Sequence, residues 1–168
     1  ALGTLVADGW APLQLPLAPP ANLSNRPAQF QQGFKDGFYA NGNAAAFVAQ
    51  AGDALVLSFR GTNDNQEGLL TYDNQLTPDE VSWTNMSAYY ASIQPLITAI
   101  DNYVDIATHG IKKVYVVGHS LGAAMIDQFM AIHQPNGPAG NVSYEAVEFA
   151  HPDFNNAGID FQTELLNA

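Results

Sequence analysis

Short apolar runs separated by turn residues predict a pair of buried strands in the first half of the chain. The runs 44–48 and 55–59 flank Ala51-Gly52-Asp53, a spacing that indicates two paired strands joined by a short loop. The second run has no polar residue before Ser58, which is typical of a strand that is covered on both faces. Gly61 breaks the pattern and ends this strand.

Two later segments have apolar residues at every third or fourth position, which is the period of an amphipathic helix. The first extends from Ser82 to Gly110, and Pro95 is expected to kink this helix or to divide it in two. The second follows Ser120 and stops at Pro135-Asn136-Gly137.

Strands and helices alternate along the rest of the chain. The apolar run 114–117 has the composition of a central parallel strand, and 146–150 is a further strand candidate. This alternation predicts one α/β domain over residues 1–168, with a mostly parallel sheet and flanking helices. The strands at 114–117 and 146–150 are expected to lie in the same sheet.

Two segments lack such periodicity. Residues 1–28 contain five prolines and are predicted to form an extended segment that wraps around the domain. Residues 61–80 are rich in Gly, Asn, Asp and Thr and include several carboxylates, which predicts a solvated loop. A mobile lid and a calcium site are the alternatives for this loop.

Composition and charge narrow the classes of function. The chain of 168 residues is 47% hydrophobic, enough to bury the core of a single domain. Its net charge of -11 repels nucleic acids and anionic bilayers. The absence of cysteine excludes disulfides and a thiol nucleophile, whereas serine and carboxylate chemistry remain open. The chain begins at Ala1 without a basic leader, and we therefore expect a processed start and a secreted protein.

The sequence Gly118-His119-Ser120-Leu121-Gly122 matches the nucleophile elbow G-x-S-x-G, and it lies between a predicted strand and a predicted helix, as that motif requires. Such an abrupt turn holds the serine in strained backbone geometry, and side chains at 118 and 122 would collide with neighbouring elements. Ser120 is therefore the candidate nucleophile. The backbone N–H of Leu121, at the positive end of the helix, is the candidate donor to an oxyanion.

A second motif, Leu57-Ser58-Phe59-Arg60-Gly61-Thr62, precedes the elbow at a matching distance. With the elbow and the following Ala123-Ala124, it makes residues 40–155 resemble the class 3 lipases, which are α/β-hydrolases typified by fungal triacylglycerol lipases. The resemblance implies an α/β-hydrolase fold and assigns an oxyanion role to Thr62, through its backbone N–H and its hydroxyl. It also implies a lid at residues 63–81. Ala123 departs from the frequent glycine of that family.

A serine hydrolase of this fold needs an acid and then a histidine after the nucleophile. His109 lies before the strand and His133 at the far end of the helix, each roughly 20 Å from Ser120 at standard rises. His133 is therefore interpreted as a cation at a helix end on the surface, and His119 as a residue that packs on a neighbouring strand. His151, followed by Asp153, follows the 146–150 strand, but the order of this pair is inverted.

The class 3 pattern places the catalytic acid and histidine after further strands. We therefore expect the fold to be incomplete at residue 168, with a missing carboxyl-terminal segment or a second polypeptide that supplies both groups. His151 and Asp153 are the alternative within this chain.

The motifs predict a serine carboxylic-ester hydrolase, a lipase or esterase that acts on lipid acyl esters through an acyl-serine intermediate. A phospholipase or acyltransferase would use the same serine. A non-catalytic or truncated hydrolase-like module that binds lipid or a partner is the other alternative. The expected partners are an ester substrate and a lipid interface, and this chemistry needs no cofactor.

Overall fold

The computed structural model describes residues 8–19, 33–41, 44–61, 86–133 and 141–149. These residues form an α/β structure in which an open sheet of seven strands is covered on one face by two helices. The strands are β1 (Ala11–Pro12), β2 (Gly33–Lys35), β3 (Phe38–Asn41), β4 (Ala44–Ala51), β5 (Ala54–Phe59), β6 (Lys113–His119) and β7 (Ser143–Phe149). The helices are α1 (Met86–Asp105) and α2 (Leu121–His133), and a 3-10 turn spans Ala107–His109.

The sheet is mixed, with strand order β2-β3-β4-β5-β6-β7 and β1 beside the second half of β4. Strands β2 to β5 pair antiparallel, whereas β5, β6 and β7 are parallel. The prediction of parallel strands holds for the part of the sheet whose connections contain α1 and α2. The first strands are instead joined by tight turns, such as the one at Gly52 with φ 56°, and tight turns give antiparallel pairs.

The predicted hairpin and both predicted helices are present. The runs 44–48 and 55–59 form β4 and β5, which pair antiparallel from Ala46 and Phe59 to the turn. The strand predicted at 146–150 is β7, which begins three residues earlier at Ser143 and ends at Phe149. Residues 82–85 and the predicted stop at 135–137 lie outside the described ranges.

Helix α1 continues through Pro95 as one helix, so the proposed division in two is wrong. A proline has no N–H to donate and displaces the carbonyls of the preceding turn. The carbonyl of Ser92 in that turn accepts hydrogen bonds from Tyr39 Oη at 3.0 Å and Asn41 Nδ2 at 3.1 Å. These side chains of β3 therefore connect α1 to the sheet in the turn before the proline.

The hydrophobic core lies between the sheet and the two helices. Val48, Leu57 and Val116 are in register on adjacent strands and are fully buried on this face. Helix α2 packs on β5, β6 and β7, and α1 packs on β3 and β4 as well as on α2. Because α2 follows β6 directly, its packing on three parallel strands fixes the turn at the end of β6.

Within residues 1–28, the structure describes positions 8–19. Leu13 and Leu15 are buried in the core, and the N–H of Leu13 donates to the carbonyl of Val48 at 3.1 Å. The short strand β1 therefore runs along β4, and the leucines that follow it pack into the core.

Candidate active site

Ser120 is the single residue between the end of β6 and the start of α2. Its φ is 54°, in the left-handed region that non-glycine residues rarely adopt, at a cost of about 1–2 kcal/mol. Two hydrogen bonds hold this conformation. The Ser120 N–H donates to the carbonyl of Phe149 at 3.0 Å, and the Ser120 carbonyl accepts from the N–H of Ala123 at 2.9 Å. The predicted strained turn is confirmed.

The two glycines of the motif are required for space. A Cβ on Gly118 would lie 2.5 Å from the carbonyl carbon and oxygen of Gly122, in the first turn of α2. A Cβ on Gly122 would lie 2.5 Å from the carbonyl oxygen of Phe59, at the end of β5. The predicted collisions at both positions are confirmed. The backbone that Gly122 approaches belongs to β5, the strand that contains the start of the second motif.

The chain after β5 is held against the elbow. The N–H of Arg60 donates to the carbonyl of Ala45 at 2.9 Å, which extends the pairing of this chain with β4 beyond Phe59. A Cβ on Gly61 would lie 2.5 Å from the carbonyl oxygen of His119. Arg60-Gly61 therefore passes beside the turn that contains Ser120. Thr62 is the next residue along the chain and lies outside the described ranges, as does the lid predicted at 63–81.

Leu121 can contribute only its backbone to the site, because its side chain is fully buried. It is the first residue of α2, where an N–H has no acceptor within the helix. The helix dipole adds a partial positive charge at this end. An oxygen that becomes negative beside Ser120 would be stabilised by this N–H and by the helix dipole.

His133 lies at the end of α2 as predicted, but the interpretation that it is on the surface is wrong. Its side chain is 1% exposed, stacks on Phe129 with ring centroids 3.8 Å apart, and is surrounded by α1, α2 and β7. Nδ1 lies 2.7 Å from the Phe129 carbonyl, and Nε2 lies 3.0 Å from Asp101 Oδ1. Because both ring nitrogens face acceptors, the geometry suits the doubly protonated imidazolium.

The pKa of His133 reflects opposing effects. Burial lowers it, but the hydrogen bonds to Asp101 and to the Phe129 carbonyl, with the charge of Asp101, raise it by more, so that the net pKa lies above 6.5. His133 is at the last residue of α2 and Ser120 precedes the first, so this pair stabilises the far end of the helix.

The other histidines occupy different positions. His109 is in the 3-10 turn before β6, stacked on the ring of Tyr103 with centroids 3.8 Å apart, at the opposite end of β6 from Ser120. His119 lies beside Gly61, next to β5, but its side chain is exposed and not packed into a neighbouring strand. His151 and Asp153 lie outside the described residues.

Phe149 is a residue at this site that the sequence patterns did not identify. It ends β7, pairs in register with His119 and accepts the Ser120 hydrogen bond through its carbonyl. Its side chain is 55% exposed. The apolar run 146–150 indicated a strand, but the contact with Ser120 depends on the register of β7, which periodicity does not provide.

Within the described residues, no three His, Cys, Asp or Glu side chains are grouped so that they could share a metal ion. Helices in that same part of the chain are too short or too polar to span a membrane. Comparisons with protein-family models, curated proteins and solved structures find no match to this chain.

Proposed function

We propose that this protein is a serine carboxylic-ester hydrolase with an α/β-hydrolase fold related to the class 3 lipases. The observation that supports this proposal is the left-handed Ser120 between β6 and α2, with the chain from Phe59 to Gly61 beside it. An ordinary connection between a strand and a helix does not require a serine with strained backbone geometry. It also does not require two glycines that contact neighbouring backbone.

The proposed reaction begins when Ser120 Oγ attacks the ester carbonyl carbon and gives up its proton to a general base. The carbonyl oxygen becomes an oxyanion, which accepts hydrogen bonds from the N–H of Leu121 and, by the class 3 resemblance, from Thr62. The carbon–oxygen bond to the alcohol then breaks, and the alcohol leaves with the proton from the base. Water repeats the sequence on the acyl-serine and releases the acid.

The general base and its acid lie outside the described residues in this proposal. His109 and His133 are held in other contacts at the far ends of β6 and α2. A further carboxyl-terminal segment or a second polypeptide supplies both groups in this proposal, and His151 with Asp153 is the alternative within this chain. The substrate is a neutral carboxylic ester, because the charge of -11 opposes the approach of anionic groups.

Two measurements test the proposal. The protein is incubated with an alkyl fluorophosphonate, which phosphonylates activated serines, and the release of nitrophenol from short-chain esters is followed separately. We expect labelling and steady release, both abolished in Ser120→Ala. Ser143→Ala is the matched control, because Ser143 is an exposed serine at the opposite end of the neighbouring strand.

Labelling and release in the wild type and in Ser143→Ala, but not in Ser120→Ala, support the proposal. Activity that survives in Ser120→Ala contradicts it, and so does an inert wild-type protein expressed from its full coding sequence. An inert protein that still binds lipid vesicles would favour the non-catalytic module.

A further inference from the structure

Phe149 presents a large apolar side chain to solvent beside the proposed nucleophile. Its exposed fraction is 55%, although burial of a phenylalanine stabilises a fold by about 1.5–3 kcal/mol. A single exposed apolar residue is ordinary on a protein surface. This one is joined to Ser120 through a backbone hydrogen bond of 3.0 Å, so its position is fixed relative to the nucleophile.

The register of the parallel strands places this side chain at the site. Phe149 pairs with His119, and paired residues on neighbouring strands are about 4.8 Å apart with their side chains on the same face. Both side chains are exposed at the carboxyl ends of β6 and β7. The exposed ring of Phe149 therefore offers an apolar contact at the edge of the sheet where β6 ends before Ser120.

The strand order separates the two sides of the site. Gly122 and Gly61 place the end of β5 on one side of the elbow, and Phe149 of β7 lies on the other. Donors to the oxyanion belong to the β5 side and to the start of α2. The two substituents of an ester carbonyl point away from its oxygen and diverge from each other, and we take one of them to lie on the β7 side of the elbow.

We propose that Phe149 is a specificity-determining residue that packs against the acyl chain of the ester. This inference rests on the proposed function. The acyl group stays bonded to Ser120 through both half-reactions, whereas the alcohol leaves after the first. Because the backbone carbonyl of Phe149 is hydrogen-bonded to the Ser120 N–H, we assign the Phe149 side chain to the group that stays bonded to Ser120, which is the acyl group.

The test compares nitrophenyl esters of acetate and octanoate as substrates for the wild type, Phe149→Ser and Phe149→Leu. We expect the ratio of kcat/KM for octanoate over acetate to fall about tenfold in Phe149→Ser, since the contact with a few methylenes is lost. Phe149→Leu retains an apolar side chain and is expected to keep most of the preference.

Ile132→Ala is the matched control. Ile132 is 61% exposed and lies at the end of α2 that is far from Ser120. Its truncation removes an exposed apolar side chain, as Phe149→Ser does, and we expect the octanoate-to-acetate ratio of kcat/KM to stay unchanged. A second series varies the alcohol and keeps the acyl group constant. The labelling rate with a methyl-substituted fluorophosphonate, which is too small to reach position 149, shows for each variant that Ser120 remains reactive.

A ratio that falls only in Phe149→Ser, and only in the acyl series, supports the proposal. An unchanged ratio with normal labelling overturns the role of Phe149 and leaves the proposed function intact. A change confined to the alcohol series overturns the assignment to the acyl chain. Absence of labelling at Ser120 in the wild type contradicts the proposed function, and the inference fails with it.

Discussion

Gly122, in the first turn of α2, lies so close to Phe59 at the end of β5 that a Cβ would come within 2.5 Å of the Phe59 carbonyl oxygen. Backbone on both sides of this contact belongs to regular elements, which cannot move apart without loss of hydrogen bonds. The approach of β5 to α2, and with it the position of the chain that leads to Thr62, therefore depends on the absence of a side chain at position 122.

We expect Gly122→Ala to lower the free energy of unfolding by about 1–3 kcal/mol, which is the usual cost of overpacking, and to slow fluorophosphonate labelling of Ser120. Gly52→Ala is the control. Position 52 has φ 56° and open space around it, so the variant has only a backbone strain of about 1 kcal/mol and should keep normal labelling. The free energy of unfolding is measured with denaturant, and the rate of labelling is measured separately. If both values are the same in Gly122→Ala as in the wild type, the close contact between position 122 and Phe59 is refuted.

The ion pair of His133 and Asp101 makes stability depend on pH. The folded pKa of His133 is raised above 6.5, so this stabilisation is complete below the unfolded pKa and is lost as the pH rises through the folded pKa. Tyr144, 5.2 Å away between ring centroids, has its pKa raised to about 12 by burial and by Asp101 and Asp105, and stays neutral over this range.

The measurement is unfolding by denaturant from about pH 5 to about pH 9 for the wild type and Asp101→Asn. We expect Asp101→Asn to cost about 1–3 kcal/mol at the acid end, with a difference that shrinks at the alkaline end. Asp53→Asn removes an exposed ion pair with Lys112 and serves as the control, with a small effect at every pH. A difference for Asp101→Asn that is constant or grows with pH would show that His133 is not charged in the folded protein.

The sequence predicts the presence of the central elements well, from the period of the two helices and the apolar runs of the strands. The prediction that β5 is covered on both faces is wrong, because only alternate residues of this strand are fully buried. The hairpin of β4 and β5 and the glycines 118 and 122 follow from local patterns alone. The burial of His133 does not, since it depends on Asp101, which is 32 positions away and on another helix. Likewise, the hydrogen bonds from β3 to the Ser92 carbonyl, in the turn before Pro95, join elements that no helical pattern relates.

The candidate site is predictable in part. The motif G-x-S-x-G is sufficient to predict a sharp turn with two closely packed glycines. The identity of Ser120 and its left-handed backbone φ therefore follow from five residues. The place of Phe149 beside Ser120 depends on the alignment of two parallel strands, which the chain connects through a helix. Composition and periodicity contain no information on that alignment.

The role of Thr62 rests on the class 3 resemblance and on the position of Gly61 beside the elbow. We expect Thr62→Ala to lower kcat by about a hundredfold with little change in KM, because a hydrogen bond to the oxyanion is made in the transition state. Thr62→Ser keeps the hydroxyl and should retain most of the activity. Unchanged turnover in Thr62→Ala, measured on a short-chain nitrophenyl ester, would remove the side chain from the mechanism and leave only the backbone N–H.

The most direct test of the central claim is a crystal structure of the protein after treatment with an alkyl fluorophosphonate. We predict a phosphorus atom bonded to Ser120 Oγ, a left-handed φ at Ser120, and a phosphonyl oxygen about 3 Å from the backbone nitrogen of Leu121. An unmodified Ser120, or an adduct whose oxygen points away from the start of α2, would contradict the proposal that this turn is built for acyl transfer.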